Sequence, residues 1–327
     1  MTRNWKRATQ SVSASAAALL ILTACGGGNI ASETKQNEAN AGSSGDCGEV
    51  NMAVNPWVGY TADAYVFGAV AESMGCKMNY KDLKEDVSWQ GFGTGDVDIV
   101  IEDWGHPDLE KKFFADQGDG SATNIGDLGA KGIIGWFVPP WLATEHPDIL
   151  DYNNLNKYAK DFATSESGGQ GQFLGADPSY VQFDEAIVKN LNLDFKVVFS
   201  GSEAASITAF QKAEENHEFL IGYFYEPQWL FADIDLQRVA LPPYTDGCQD
   251  DPATVACDYP ETPLQKVVAT KWMDAGGPAV DLAKAFTFTN DDQNTVAKYI
   301  SEDKMKPEDA AAKWIADNPD KVAAWTS

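Results

Sequence analysis

Strand-like and helix-like segments alternate along most of this chain, and that alternation restricts its fold more than any other feature. Glu49–Val54 alternates apolar and polar residues, and 61–73 carries apolar residues at helical spacing before Gly75. Strand, loop, helix is the opening unit of an α/β fold. The run 97–101 is short, apolar and flanked by Gly95 and Trp104-Gly105, as expected for a strand buried in a parallel sheet, and 132–138 is similar. Further strands are expected over 173–176, 196–200, 219–225 and 238–241, and helices over 183–190, 203–214, 280–285, 290–301 and 307–316. The sequence shows no internal repeat. A length of 327 residues, 44% of them hydrophobic, suits two α/β lobes better than one.

Charge narrows the function. With 24 Lys and Arg against 49 Asp and Glu, the net charge of −25 excludes a sequence-independent grip on nucleic acid, which needs clustered cations. The three histidines, His106, His146 and His217, are far apart and none lies in an HExxH pattern. No GxSxG, Walker loop or GxGxxG after a strand is present, so neither an enzyme nor a bound cofactor or metal is expected. Acidic residues abound, but nothing in the spacing brings a glycosidase-like pair together.

The N-terminus directs the chain outward. Arg3, Lys6 and Arg7 precede an apolar run over 14–22 that is too short to span a bilayer as a mature helix, so 1–24 reads as a signal peptide. It ends in Leu22-Thr23-Ala24-Cys25-Gly26, which resembles the bacterial lipobox and implies that Cys25 is acylated. The bland alternative is a secretory peptide with an incidental cysteine. Residues 26–46 are almost devoid of apolar side chains, so 25–46 is expected to be a lipidated cysteine followed by a flexible tether. The folded part then starts near Cys47 and lies outside the cytoplasmic membrane, anchored through Cys25. In an exported chain the remaining Cys47, Cys76, Cys248 and Cys257 favour disulfides. Three pairings are possible; we prefer Cys47 with Cys76, stapling the first strand to the end of the first helix, and Cys248 with Cys257, closing a short polar loop.

Large aromatic residues fall at the ends of the expected strands. Trp57 and Tyr60 follow the first, Trp104 follows the run at 97–101, Trp136 and Trp141 surround another, Tyr180 lies in Asp177-Pro178-Ser179-Tyr180, and Tyr223, Tyr225 and Trp229 surround Glu226-Pro227. Strand ends are where open α/β sheets bind ligands. Trp272, Trp314 and Trp325 lie in or near helices instead and read as structural. An aromatic box suits a quaternary ammonium ion, because the ring quadrupole attracts charge without needing a hydrogen bond. Three or four desolvated contacts supply roughly 6–8 kcal/mol gross, against about 8 kcal/mol for micromolar binding, so a second polar contact is needed. The segment 177–182 leads into the expected helix at 183, whose first N–H groups suit an anion. A zwitterion with an ammonium and a carboxylate fits both ends.

Taken together, Asn55-Pro56-Trp57-Val58-Gly59-Tyr60, Gly95-Asp96-Val97-Asp98, Glu102-Asp103-Trp104, Val138-Pro139-Pro140-Trp141, Asp177-Pro178-Ser179-Tyr180 and Tyr225-Glu226-Pro227-Gln228-Trp229 resemble, in order, the substrate-binding proteins of ABC importers for glycine betaine, proline betaine, carnitine and choline. The resemblance spans 49–325. It implies a two-lobed type II periplasmic-binding-protein fold with a hinge, lobe 1 comprising 47–139 and 245–327 and lobe 2 comprising 140–244. It implies an ammonium cage of Trp104, Tyr180 and Tyr225, the tyrosines standing where many relatives have Trp. Trp57 or Tyr60 would add a wall, Trp141 matches a position that is often aromatic, and the backbone N–H groups of Val181 and Gln182 would hold a carboxylate. The implied protein is a monomeric, lipid-anchored receptor that passes a glycine betaine-like osmolyte to a membrane permease and does no chemistry. Alternatives are a receptor for choline, since Glu102 and Asp103 precede Trp104, or for a cationic amino acid or polyamine paired by Glu102, Asp103 and Glu226. A surface hydrolase with an unrecognised acid pair is the reading from another class.

Overall fold

The computed structural model describes residues 47–327. The signal peptide, Cys25 and the tether expected over 1–46 lie outside the described residues. Among the described residues nine strands form one sheet. They are β1 (Glu49–Val54), β2 (Lys77–Asp82), β3 (Ile99–Asp103), β4 (Ala122–Val138), β5 (Gly171–Gly175), β6 (Phe195–Phe199), β7 (Gly222–Glu226), β8 (Gln237–Arg238) and β9 (Glu261–Ala269). The order is β2-β1-β3-β9-β4-β7-β5-β6, with β8 pairing on β4.

Each end of this sheet is parallel, β2-β1-β3 on one side and β7-β5-β6 on the other. The middle is not. β9 runs antiparallel to β3 and β4, and β4 runs antiparallel to β7, so the sheet is mixed where the apolar runs suggested a parallel one. β4 joins the two ends because it is 17 residues long: its first part pairs with β9 and Ile133 to Phe137 pair with β7. Its register against β9 slips around Asp127, where Gly126 (φ 108°) and Gly129 (φ 106°) adopt a backbone that side-chain-bearing residues rarely tolerate.

Helices cover the sheet, and their ends follow local chemistry. Thr289 and Asp292 form a reciprocal capping box at the start of Asn290–Ser301. The Ser202 hydroxyl accepts the Ala205 N–H at the start of Glu203–Asn216, and Gly95 closes Glu85–Thr94 in the left-handed conformation. Cys47 is bonded to Cys76 and Cys248 to Cys257. Under the C-terminal helices Phe286, Phe288, Trp314 and Trp325 pack ring on ring, with Trp314 and Trp325 stacked at 5.9 Å. Among the described residues no helix is long and apolar enough to cross a membrane.

Candidate ligand-binding site

The parallel ends of the sheet direct their carboxyl termini toward one hollow. Trp57 follows β1, Trp104 directly follows β3, Tyr180 lies in the loop after β5, and Tyr225 is the penultimate residue of β7. These four rings wall a small cavity, completed by Ile134, Val181, Tyr223 and Glu85. Pairing of Ile134 with Tyr225 across β4 and β7 sets those two side by side.

The rings meet edge to face. Trp57 and Tyr180 have centroids 5.3 Å apart at 78°, Trp104 and Tyr225 5.4 Å apart at 81°, and Tyr180 and Tyr225 6.2 Å apart at 83°. This leaves aromatic surface turned to the hollow instead of spent on stacking. Trp104 also needs space behind it: a Cβ at Gly132 on β4 would lie 2.5 Å from its Cζ3.

Buried carboxylates hold the polar edges of the rings. Glu102 Oε1 accepts the indole N–H of Trp57 at 3.1 Å and that of Trp104 at 2.6 Å. Gln293 Nε2 bridges Glu102 Oε2 and Asp63 Oδ2, at 2.8 and 3.0 Å. Burial raises the Glu102 pKa to about 7, although the indole donors favour its charge. Asp63 is pushed well above the carboxylate range by burial and by Glu102. The Tyr225 hydroxyl donates to Glu203 Oε1 at 2.6 Å, and the Tyr180 hydroxyl donates to the Pro56 carbonyl at 2.9 Å.

Glu85 is the cavity's acidic group. It faces His106 Nε2 at 3.3 Å, while His106 Nδ1 lies 3.0 Å from Asp103 Oδ1. Burial opposes a charge on His106, but Glu85 and Asp103 outweigh it and raise its pKa well above the usual value. Glu85 itself is raised by burial, against the pull of His106.

Of the residues singled out in the sequence, Trp57, Trp104, Tyr180, Val181 and Tyr225 line the cavity. Tyr60 stands behind Trp57 at 5.3 Å, fully buried, its hydroxyl accepting the Ile101 N–H. Trp141 packs elsewhere, stacked on His217 at 5.0 Å and edge-on to Phe219. Gln182 turns its amide back to the Asp177 carbonyl. Among the described residues, neither the Val181 nor the Gln182 backbone N–H donates to another residue, and the Val181 carbonyl accepts the Tyr223 hydroxyl. Sequence reasoning missed Glu85, Ile134 and Gly132, which carried no signal; Tyr223, singled out with the aromatic run around Glu226-Pro227 but not assigned to the cage, also lines the cavity. Among the described residues no cluster of His, Cys, Asp and Glu is placed to hold a metal ion.

A family model described as the substrate-binding domain of ABC-type glycine betaine transport systems matches residues 48–317. A trimethylamine N-oxide-binding protein of Pelagibacter ubique is 29% identical over 279 residues, covering 83% of this chain and 87% of that protein. A glycine betaine/carnitine transport binding protein of Listeria monocytogenes is 30% identical over 128 residues, covering 39% of this chain and 38% of that one. Among solved structures, lactococcal OpuAC in its closed form with glycine betaine superposes with a TM-score of 0.67 at 21% identity, over 85% of this chain and 99% of that one. A choline-binding protein of an ABC transporter, in complex with choline, superposes with a TM-score of 0.69 at 19% identity, over 85% and 91%. The fold is that of the type II periplasmic binding proteins. The chain belongs to the family of substrate-binding domains of ABC-type glycine betaine transport systems, an extracytoplasmic family of solute-binding proteins and not of enzymes.

Proposed function

We propose that this protein captures a trimethylammonium osmolyte of the glycine betaine type in a cage of Trp57, Trp104, Tyr180 and Tyr225. The observation that carries this reading is the enclosure of one hollow by four rings from four separate segments, at nearly right angles. Each desolvated ring is worth about 2 kcal/mol to a cation. The backbone N–H groups of Val181 and Gln182, neither of which donates among the described residues, would hold a ligand carboxylate; of the two residues Val181 lines the cavity. Lobes over 47–139 with 245–327 and over 140–244 would close on the ligand, hinged where the chain passes between the two parallel ends of the sheet. Acylation of Cys25 would hold the receptor, as a monomer, beside its permease.

Glu85 favours a second reading. A carboxylate on the cavity wall repels a ligand carboxylate and suits a compound lacking one, such as choline or trimethylamine N-oxide, the latter named for the Pelagibacter relative. Isothermal titration with glycine betaine, proline betaine, carnitine, choline and trimethylamine N-oxide separates the two. We expect micromolar binding of at least one; millimolar or weaker binding of all five contradicts both.

A further inference from the structure

The loop carrying Trp57 is gripped on both sides of that residue. The carbonyl of Pro56 accepts the Tyr180 hydroxyl at 2.9 Å, and the N–H of Val58 donates to Glu203 Oε2 at 2.8 Å. Glu203 Oε1 in turn accepts the Tyr225 hydroxyl at 2.6 Å and Gln228 Nε2 at 3.0 Å. The contacts join residues 124 and 145 positions apart in sequence. They also join opposite ends of the sheet, since Trp57 follows β1 whereas Tyr180 and Glu203 follow β5 and β6.

Glu203 is buried, and among the described residues no Lys, Arg or His forms an ion pair with it. Its donors are an amide N–H, a hydroxyl and the first N–H of the 16-residue helix Val58–Ser73, whose partial positive end favours a carboxylate. That last contribution exists only while the β1 loop lies against it. A phenylalanine would present the same kind of ring face to a cation as a tyrosine, so the hydroxyls of Tyr180 and Tyr225 do something the cage itself does not require.

We propose that Glu203 and the hydroxyls of Tyr180 and Tyr225 form a latch that locks the Trp57 loop onto the opposite side of the cavity, so that these residues control ligand release in addition to ligand contact. This rests on the cage reading. A ligand ordering Tyr225 and Trp57 together preorganises the latch, and the latch holds the fourth wall in place.

Stopped-flow measurement of ligand association and dissociation on wild type, Tyr225→Phe, Tyr180→Phe, Glu203→Gln and the double variant Tyr225→Phe/Glu203→Gln tests this. Each single variant should speed dissociation by about tenfold, the scale of a hydrogen bond to a charged or buried partner, with association nearly unchanged. The double variant should be no worse than Glu203→Gln alone, because both remove one linkage. Because these hydrogen bonds are present without ligand, melting temperatures of the unliganded single variants should fall by a few degrees, while faster dissociation at unchanged association is the result a merely structural role would not produce. Unchanged dissociation in both Phe variants overturns the latch, as does additive loss in the double variant. Absence of binding by the wild type overturns the cage reading and the latch with it, which keeps the two failures distinct.

Discussion

Two aromatic clusters in this molecule are both buried and are arranged in opposite ways. Under the C-terminal helices Phe286, Phe288, Trp314 and Trp325 lie against one another, two of the pairs stacked within 17° of parallel. Around the cavity Trp57, Trp104, Tyr180 and Tyr225 stand at 78° to 83° and surround a hollow. Polar groups separate the two further. Glu102 takes the indole N–H groups of Trp57 and Trp104, and the hydroxyls of Tyr225 and Tyr180 end on Glu203 and Pro56, whereas in the other cluster Trp325 donates to the Thr287 hydroxyl at a long 3.4 Å. Burial of aromatic surface therefore does not mark a site. In the proposed site the rings are instead held apart by tethered edges.

The sharpest way to break this contrast is to exchange the outcomes of two alanine substitutions. Trp314→Ala should cost about 3–5 kcal/mol of stability in chemical denaturation and leave ligand affinity alone, since it empties a packed core. Trp104→Ala should lower affinity by roughly a hundredfold, with a stability loss as well because buried Glu102 is left without that indole donor. Unchanged affinity in Trp104→Ala, or a comparable affinity loss in Trp314→Ala, would erase the distinction. Gly132→Ala should displace the Trp104 ring and weaken binding by about tenfold in titration, the expected cost of misplacing one cage wall; an unchanged dissociation constant would mean the ring accommodates the methyl group.

The buried carboxyl behind the cage adds a pH signature absent from the C-terminal cluster. The folded-state pKa of Glu102, about 7, lies above its ordinary 4.5. Its stabilising contribution is thus complete below the unfolded value and is lost as pH rises through 7. Stability of the unliganded protein should fall by about 1 kcal/mol between pH 6 and 8, and Glu102→Gln should flatten that slope. The smallest effect is expected at Trp141, which packs on His217 and Phe219: Trp141→Phe should leave affinity within about twofold. A larger loss would place Trp141 in the ligand's path.

Which parts of this arrangement can be read without coordinates follows from how local their causes are. β1 and the helix Asn290–Ser301 are encoded in a few neighbouring residues, by alternation in one and by the Thr289–Asp292 cap in the other. β9 is not. Its Pro263, Gln265 and Lys266 interrupt any apolar run, yet it lies with β4 in the middle of the sheet, where buried Lys266 is accommodated by donating its ammonium to the carbonyls of Lys284 and Phe286. Burial lowers that lysine to about pH 8. The first half of β4 is hidden likewise by Gly126, Asp127, Gly129 and Lys131. At the site, Trp57, Trp104, Tyr180 and Tyr225 are legible because strand ends announce them. Trp141 carries the same signal after Val138-Pro139-Pro140 and still packs away from the cavity. Glu85 is one acid among 49 Asp and Glu, distinguished only by folding next to the hollow.

A crystal structure with the tightest-binding methylated amine bound would test the central claim most directly. The account predicts its ammonium nitrogen within about 6 Å of the centroids of Trp57, Trp104, Tyr180 and Tyr225. Ligand density outside that enclosure, or a nitrogen touching fewer than three of the four rings, would contradict it.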